Sequence, residues 1–570
     1  MNLSHYRTLV SALKDAPEAR PFVTMWKGEG DAETVTFGEF RGMAKVQGAH
    51  FKAHGLRPGD RVILIMPQGI PLMACFAGAM MAGAIPAILA YPNFKLEPAK
   101  YRFGLAGVTS NLSARLIVLD ADFPDELRDY VHGSPGTEVL KSAQAAGSAA
   151  AWMEEFEAQP DEVAFIQHSA GTTGLQKGVA LTHAGVLTQL RHLAPALRLT
   201  DDDRIYSWLP LYHDMGLIAC FMLPMVCHLP LVMQSPTDWV MQPGTMLELI
   251  TSYRCTAAWI PNFAYQFLAR RVPPSRRTGL DLSPLRLLIN CSEQVRAESM
   301  DEFARTYAEY GLRPEALQSS YAMAENVFAV TQSGIGEFAA PHRVTINGEL
   351  FRNEHRVLPT DAGQPGAITM VSSGCCLPGN EVCIVDQAGR ELPPDGVGEV
   401  LIRSDSLLKG YFNRPDLTAK AIRDGWYHSG DLGFRVGGEL FVAGRKNDLI
   451  IAAGKNIYPQ DVEEITCSHA GVHDGRAIAL GLFNPDLGTE EIVVVAEVHD
   501  EKHLEEALAI EAEIRNAIVA ELGVGVRRVI LKPPRWIVKS SAGKAARSST
   551  REKLLKEHPE LQQGNTIGGA

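Results

Sequence analysis

Short β-rich apolar runs alternate with helical patterns along this chain, and that alternation limits its possible folds more than any other feature. RVILIM, ARLIVLD, EVAFIQHS and LRLLINCS have strand length and are separated by stretches with helical spacing. Strands interleaved with helices predict stacked parallel or mixed sheets covered by helices, an α/β architecture. At 570 residues the chain exceeds what one hydrophobic core holds, so at least two domains are expected. The boundary is expected around FVAGRKND. A large domain of stacked mixed sheets flanked by helices then covers 1–444, and a small α+β domain covers 445–570. The small domain reads as strand LIIAAG, a helix opened by PQDVEEI, strands RAIALGLF and IVVVAEV, and a helix from about Glu501 to Leu522. GSPGTEVLKSAQAAGSAA, rich in small residues, is expected as a surface loop, and QQGNTIGGA as a frayed tail.

No charge stands between Arg61 and Lys95, a stretch long enough on paper to span a bilayer. Pro67, Pro71, Pro86 and Pro92 interrupt it, and it divides into RVILIM, IPLMACFAGAMMAGA and AIPAILAY: strand, buried helix, strand. GLIACFMLPMVCHLPLVM reads as buried in the same way, so no integral membrane segment is expected. The amino terminus lacks the apolar core of a signal peptide. Nine cysteines without CxxC spacing read as reduced thiols in a cytoplasmic protein, and no Cys/His cluster suggests zinc. A net charge of −12 argues against a nucleic-acid partner, which needs a broad basic surface.

The sharpest local feature is HSAGTTGLQKGV, residues 168–179, following the apolar run VAFI. A Ser/Thr/Gly-rich loop following a strand offers N–H groups and hydroxyls to phosphate oxygens, and a lysine adds charge. It is not a Walker loop, because Gln176 stands where the second glycine of that pattern belongs. No G-x-S-x-G elbow supports a Ser/His hydrolase.

The loop resembles the phosphate-binding loop of the adenylate-forming superfamily, which includes acyl-CoA synthetases, peptide-synthetase adenylation domains and luciferases. Ala170 replaces the usual Ser or Thr, and Gln176 replaces a proline. Further segments resemble that family's motifs in order: LPLYHDMGLI, NCSEQV, SSYAMAEN, YHSGDLG, AGRKNDLIIAAGKNIYPQDVEE and KSSAGKAAR. The resemblance implies a large domain with a small mobile one, and ATP with Mg2+ as the species bound. Ser169, Gly171, Thr172, Thr173, Gly174 and Lys177 are then expected around the phosphates, and Ser292 and Glu293 in the adenine segment. Tyr321 is expected to stack on adenine, Asp431 and Arg445 to bond the ribose, and Thr172 and Glu325 to hold the metal. Lys544 is expected to bridge carboxylate and α-phosphate, His213 to lie beside the carboxylate, and Asn447 to be the hinge. Cations and aimed N–H donors suit a reaction that builds negative charge on a phosphoryl group. A non-catalytic nucleotide-binding protein on the same fold is the contrasting reading.

Two segments resemble the fatty acyl-AMP ligase branch: IPNFAYQFLARRV and NIYPQDVEE. The interval from Glu325 to Gly374 is longer than in typical CoA synthetases, and VTINGELFRNEHRVLP within it resembles the insertion of fatty acyl-AMP ligases, held to restrain the small domain. The resemblance implies a fatty acid substrate, transferred to the phosphopantetheine thiol of an acyl carrier protein. A long-chain acyl-CoA synthetase, with CoA as acceptor, is the nearest alternative. Trp208, Met215, Pro261, Asn262 and Phe263 are expected to line the acyl pocket. Arg527, Arg528, Lys532, Arg535, Lys539, Lys544 and Arg547 make the small domain locally basic, a face suited to an acidic carrier protein, and RRVPPSRR is a lesser candidate for the same face.

Overall fold

The computed structural model describes residues 3–28, 30–92, 98–142, 156–168, 177–336, 338–452, 455–484, 487, 489–539 and 545–562. It is a mixed α/β molecule. The large sheet has nine strands, in the order Cys375–Cys376, Ala329–Gln332, Leu317–Ala322, Leu287–Asn290, Ala257–Ile260, Ile205–Ser207, Leu231–Met233, Pro21–Gly28, Asp31–Thr36. The six from Leu317–Ala322 to Pro21–Gly28 run parallel. Ala257–Ile260 and Leu287–Asn290 in the middle of the sheet are buried on both faces, which is why they are continuous apolar runs rather than alternating ones. In open parallel sheets ligands bind outside the carboxyl ends of the strands. Here those ends carry Trp208, Pro261, Cys291 and Tyr321.

A second, parallel sheet joins Ile85–Ile88, Arg61–Ile65, Leu116–Leu119 and Glu138–Lys141. Between its first two strands in sequence lies the helix Ile70–Met81, apolar on all sides and buried on nearly every residue, the pattern of a core helix. Gly78 lets it approach the helix Phe37–Ala53: a Cβ there would stand 2.4 Å from the Ala44 carbonyl oxygen. Among the described residues no helix is long and apolar enough to cross a membrane.

The expected surface loop at 133–150 is corrected in part. Glu138–Lys141 is a strand paired in parallel with Leu116–Leu119. Leu140 is buried, which repays ordering a segment whose small-residue flanks hide it in the sequence. Residues 143–150 and the tail beyond 562 lie outside the described residues.

The carboxyl-terminal part is α+β. Val472–Asn484, Thr489–Val498 and Val526–Lys532 form a sheet. The helices Pro459–Ser468 and Ala507–Leu522 bury Val462, Ile465, Ile510, Ile514 and Ile518 in one apolar cluster with it, and Leu554 of Arg547–Glu557 joins another. The single helix expected from Glu501 is two pieces, a 3-10 turn Glu501–Leu504 and the helix proper from Ala507. The Asp500 carboxylate accepts from Lys502 N, capping the short turn separately.

Of the seven basic residues expected to form a face on this part, four are paired with carboxylates of the same part. Arg527 pairs with Glu491 at 3.3 Å, Arg528 with Glu560 at 3.3 Å, Lys532 with Glu557 at 2.7 Å, and Arg547 with Glu463. Arg270 and Arg276 of RRVPPSRR are likewise paired, with Glu302 and Glu248.

Candidate active site

Segments remote in sequence meet beside the carboxyl end of the strand Leu317–Ala322. Tyr321 is the penultimate residue of the strand Leu317–Ala322, and its hydroxyl donates to Asp431 Oδ2 at 2.5 Å. Asp431 lies on the long strand Trp426–Val436, whose ladder sets it opposite Arg445 of Glu439–Arg445. Arg445 Nε stands 3.2 Å from Asp431 Oδ1. Burial pushes the Asp431 carboxyl above its ordinary range, and Arg445 and the Tyr321 hydroxyl only partly offset this. Burial, with Asp431 adding to it, holds Tyr321 as a neutral phenol. A carboxylate, a guanidinium and a flat ring are thereby fixed together, donors and acceptors suited to a nucleoside.

Glu325 follows in the 3-10 turn Ala324–Asn326. Its Oε1 accepts from the Tyr411 hydroxyl at 2.8 Å, and Tyr411 lies 3.3 Å, oxygen to oxygen, from Tyr427. Lys177 Nζ sits 4.8 Å from the centroid of the Tyr411 ring, within cation–π range. Tyr427 opens the motif YHSGDLG, but the motifs give no hint of Tyr411, which emerges only from the packing. Among the described residues no three His, Cys, Asp or Glu side chains gather as a metal site. Mg2+ carried on a polyphosphate needs only one or two protein carboxylates and fills its shell with phosphate and water oxygens. Glu325 is the carboxylate that would hold it.

His213 closes the turn LPLYHD, its N–H donating to Pro210 O at 3.1 Å. Asp214 Oδ1 lies 2.6 Å from His213 Nδ1 and accepts from Met215 N at 2.7 Å, capping the π-helix Met215–Met222. Gly216 is needed there, since a Cβ would come within 2.3 Å of the Pro210 carbonyl oxygen. The π-turn is rare and concentrates at functional sites.

Trp208 stacks flat on Trp239, centroids 3.8 Å apart and planes 2° apart. Phe263 meets both edge-on and stays 40% exposed. Met215 Sδ accepts from the Ser292 hydroxyl at 3.8 Å. Glu293 Oε2 takes the Phe263 N–H at 3.0 Å, so the adenine segment and the expected acyl pocket share a wall. Asn262, beside Pro261, is buried. Its amide is engaged by Asn290, Ser299 and the Arg296 N–H, so it braces this wall.

Asn447 is exposed in the turn Lys446–Asp448. The insertion packs on the carboxyl-terminal part just beyond it. Phe351 stacks on Tyr458 at 5.1 Å, Arg352 Nε bonds Asp461 Oδ2 at 3.0 Å, and His355 Nε2 lies 2.8 Å from Asn456 Nδ2. Arg296 and Arg270 add ion pairs to Glu464 and Asp474. Ser169, Gly171, Thr172, Thr173, Gly174 and Lys544 lie outside the described residues.

A family profile described as AMP-binding enzyme matches residues 11–412. The medium-chain-fatty-acid–[acyl-carrier-protein] ligase JamA of Moorena producens is 29% identical, aligned over 97% of this chain and 96% of its own. The long-chain-fatty-acid–AMP ligase FadD32 of Mycolicibacterium smegmatis is 28% identical, over 92% of this chain and 90% of its own. Among solved structures, one from a study of fatty acyl-adenylate ligases of E. coli and L. pneumophila superposes with a TM-score of 0.90. It is 27% identical and covers 98% of this chain and 99% of its own.

Proposed function

Given that the chain belongs to the AMP-binding enzyme family, we propose that it activates a fatty acid as its acyl-AMP. In this reading a carboxylate oxygen bonds to the α-phosphorus of ATP and the bond to the bridging oxygen breaks. Pyrophosphate leaves. Tyr321, Asp431 and Arg445 hold the nucleoside, while Glu325 and Lys177 face the phosphates. His213 lies at the carboxylate, and Lys544 neutralises the crowded phosphorus. Glu325 would hold Mg2+ on the triphosphate, where the ion would screen its charge. The observation that carries this reading is the Tyr321–Asp431–Arg445 constellation joined to the Glu325–Tyr411–Lys177 cluster.

The acyl group then passes to the phosphopantetheine thiol of an acyl carrier protein. Support comes from the JamA-like relative, a fatty-acid–[acyl-carrier-protein] ligase, and from the insertion. Its Phe351, Arg352 and His355 grip the segment 456–461, a restraint on the hinge-type motion that we propose at Asn447 between domains 1–444 and 445–570. The experiment is a fatty acid panel with labelled pyrophosphate exchange, followed by acyl transfer to holo-carrier protein or CoA. Exchange with transfer to the carrier protein supports the proposal. Efficient acyl-CoA formation assigns the CoA reading instead, and absence of exchange removes both.

A further inference from the structure

We propose that Tyr411 is a positioning residue for adenylation, its hydroxyl fixing the Glu325 carboxylate and its ring face fixing the Lys177 ammonium. The inference rests on the functional reading above and adds a residue to it. The short segment 408–412 meets Glu325 through backbone and side chain, and meets Lys177 through the Tyr411 ring and the strand that follows the lysine. Leu408 N donates to the Glu325 carbonyl at 2.8 Å, so this segment holds the main chain of the glutamate. Gly410–Tyr411 pairs antiparallel with Gly178–Thr182, placing Tyr411 opposite Val179, and Phe412 N donates to Gly178 O at 2.7 Å. The strand that begins directly after Lys177 is thus stitched to the segment that holds Glu325.

Side chains complete the arrangement. Tyr411 Oη donates to Glu325 Oε1 at 2.8 Å, and Lys177 Nζ lies 4.8 Å over its ring. Tyr427 Oη, at 3.3 Å, donates to Tyr411 Oη and leaves the Tyr411 proton for the carboxylate. Both tyrosines are buried, so water does not compete. A carboxylate with one oxygen tethered loses its rotational freedom and presents the other in a set direction, as the outer partners of metal-binding carboxylates do. Glu325, Lys177 and the tyrosine are far apart in sequence, yet one ring spaces the anion from the cation.

The full-length enzyme is made as Tyr411→Phe, which removes the hydroxyl and keeps the ring, and as Tyr411→Leu, which removes both. Thermal melting is recorded for each. Two readouts follow: the Mg2+ dependence of pyrophosphate exchange with the KM for ATP, and Mn2+ binding by paramagnetic resonance with a non-hydrolysable ATP analogue. Tyr411→Phe is expected to raise half-saturating Mg2+ and weaken Mn2+ binding roughly 10-fold, leaving the KM for ATP near wild type. Tyr411→Leu is expected to raise both. Metal dependence and Mn2+ binding unchanged in Tyr411→Phe would overturn the proposal, whatever its melting temperature. Absence of fatty-acid-dependent exchange in the wild type would refute the functional reading, while the Mn2+ comparison would still judge Tyr411.

Discussion

Replacing Asp431 with Asn should separate stability from function. The buried carboxylate accepts from Tyr321 at 2.5 Å and pairs with Arg445 at 3.2 Å. An amide oxygen still accepts from Tyr321, so that bond survives. What is lost is the charge opposite Arg445; Asp431 is buried but the Arg445 side chain is 65% exposed, and solvent on that side holds the pair's contribution to about 0–1 kcal/mol. Against that loss stands the desolvation of the carboxylate, which raises its pKa. A carboxyl raised on folding lends stability below its unfolded pKa and loses it as pH rises through the folded one. At neutral pH the ionised group is therefore a burden. The variant should melt within about 1 kcal/mol of wild type, or above it, with any advantage fading in acid. Nucleotide use should still suffer. Exchanging a charged acceptor for a neutral one at a ribose hydroxyl forfeits part of a bond of about 1.5–3 kcal/mol, or roughly 10-fold or more in kcat/KM. Melting curves across pH and pyrophosphate exchange measure the two effects. A destabilisation well beyond 2 kcal/mol, or unaltered exchange, would refute the reasoning.

Other substitutions read other parts of the account. Arg352→Ala breaks the bond to Asp461 and should increase acyl-CoA formation when CoA is supplied, measured by product chromatography. Unchanged acceptor use would show that the insertion does not restrain transfer. Asp203 takes two Arg286 bonds at 2.8 and 2.6 Å and a Thr256 hydroxyl at 2.6 Å. Burial raises its carboxyl, but these partners outweigh it and hold the pKa below the ordinary value. Asp203→Ala should cost about 3–5 kcal/mol in denaturant unfolding, and a loss under 1 kcal/mol would contradict that estimate. Burial also lowers His168 and His183 to about 4. Groups depressed in the folded state lend stability above their unfolded pKa and lose it as pH falls toward 4. His183→Gln should flatten that acid slope in pH-dependent unfolding.

Much of the fold was legible because apolar runs of strand length are a local signal. RVILIM, VAFIQH and LLIN became strands Arg61–Ile65, Val163–His168 and Leu287–Asn290. The strand Glu138–Lys141 escaped notice because glycine and serine flank it and only Leu140 is well buried. The π-turn at Met215 could not be read, since an apolar run buried on every side carries no period. Local basicity overstates unpaired charge for a related reason. The carboxylates that neutralise Arg527 and Arg547, Glu491 and Glu463, lie in other elements, so composition sees only one partner of each pair.

The site divides along the same line. Tyr321, Asp431, Arg445 and Glu325 stood inside recognisable motifs. Tyr411 acts only by contact with residues remote in the chain, and Trp239 declares itself by stacking on Trp208. Those relations exist only once the sheets are assembled.

The central claim is that a fatty acid displaces pyrophosphate from ATP at this site, and incorporation of labelled pyrophosphate into ATP tests it most directly. With Mg2+ and a panel of fatty acids, the wild type should show acid-dependent exchange, and Lys544→Ala should lose nearly all of it while retaining its melting temperature. No exchange with any acid, or full exchange without the Lys544 amine, would contradict the account.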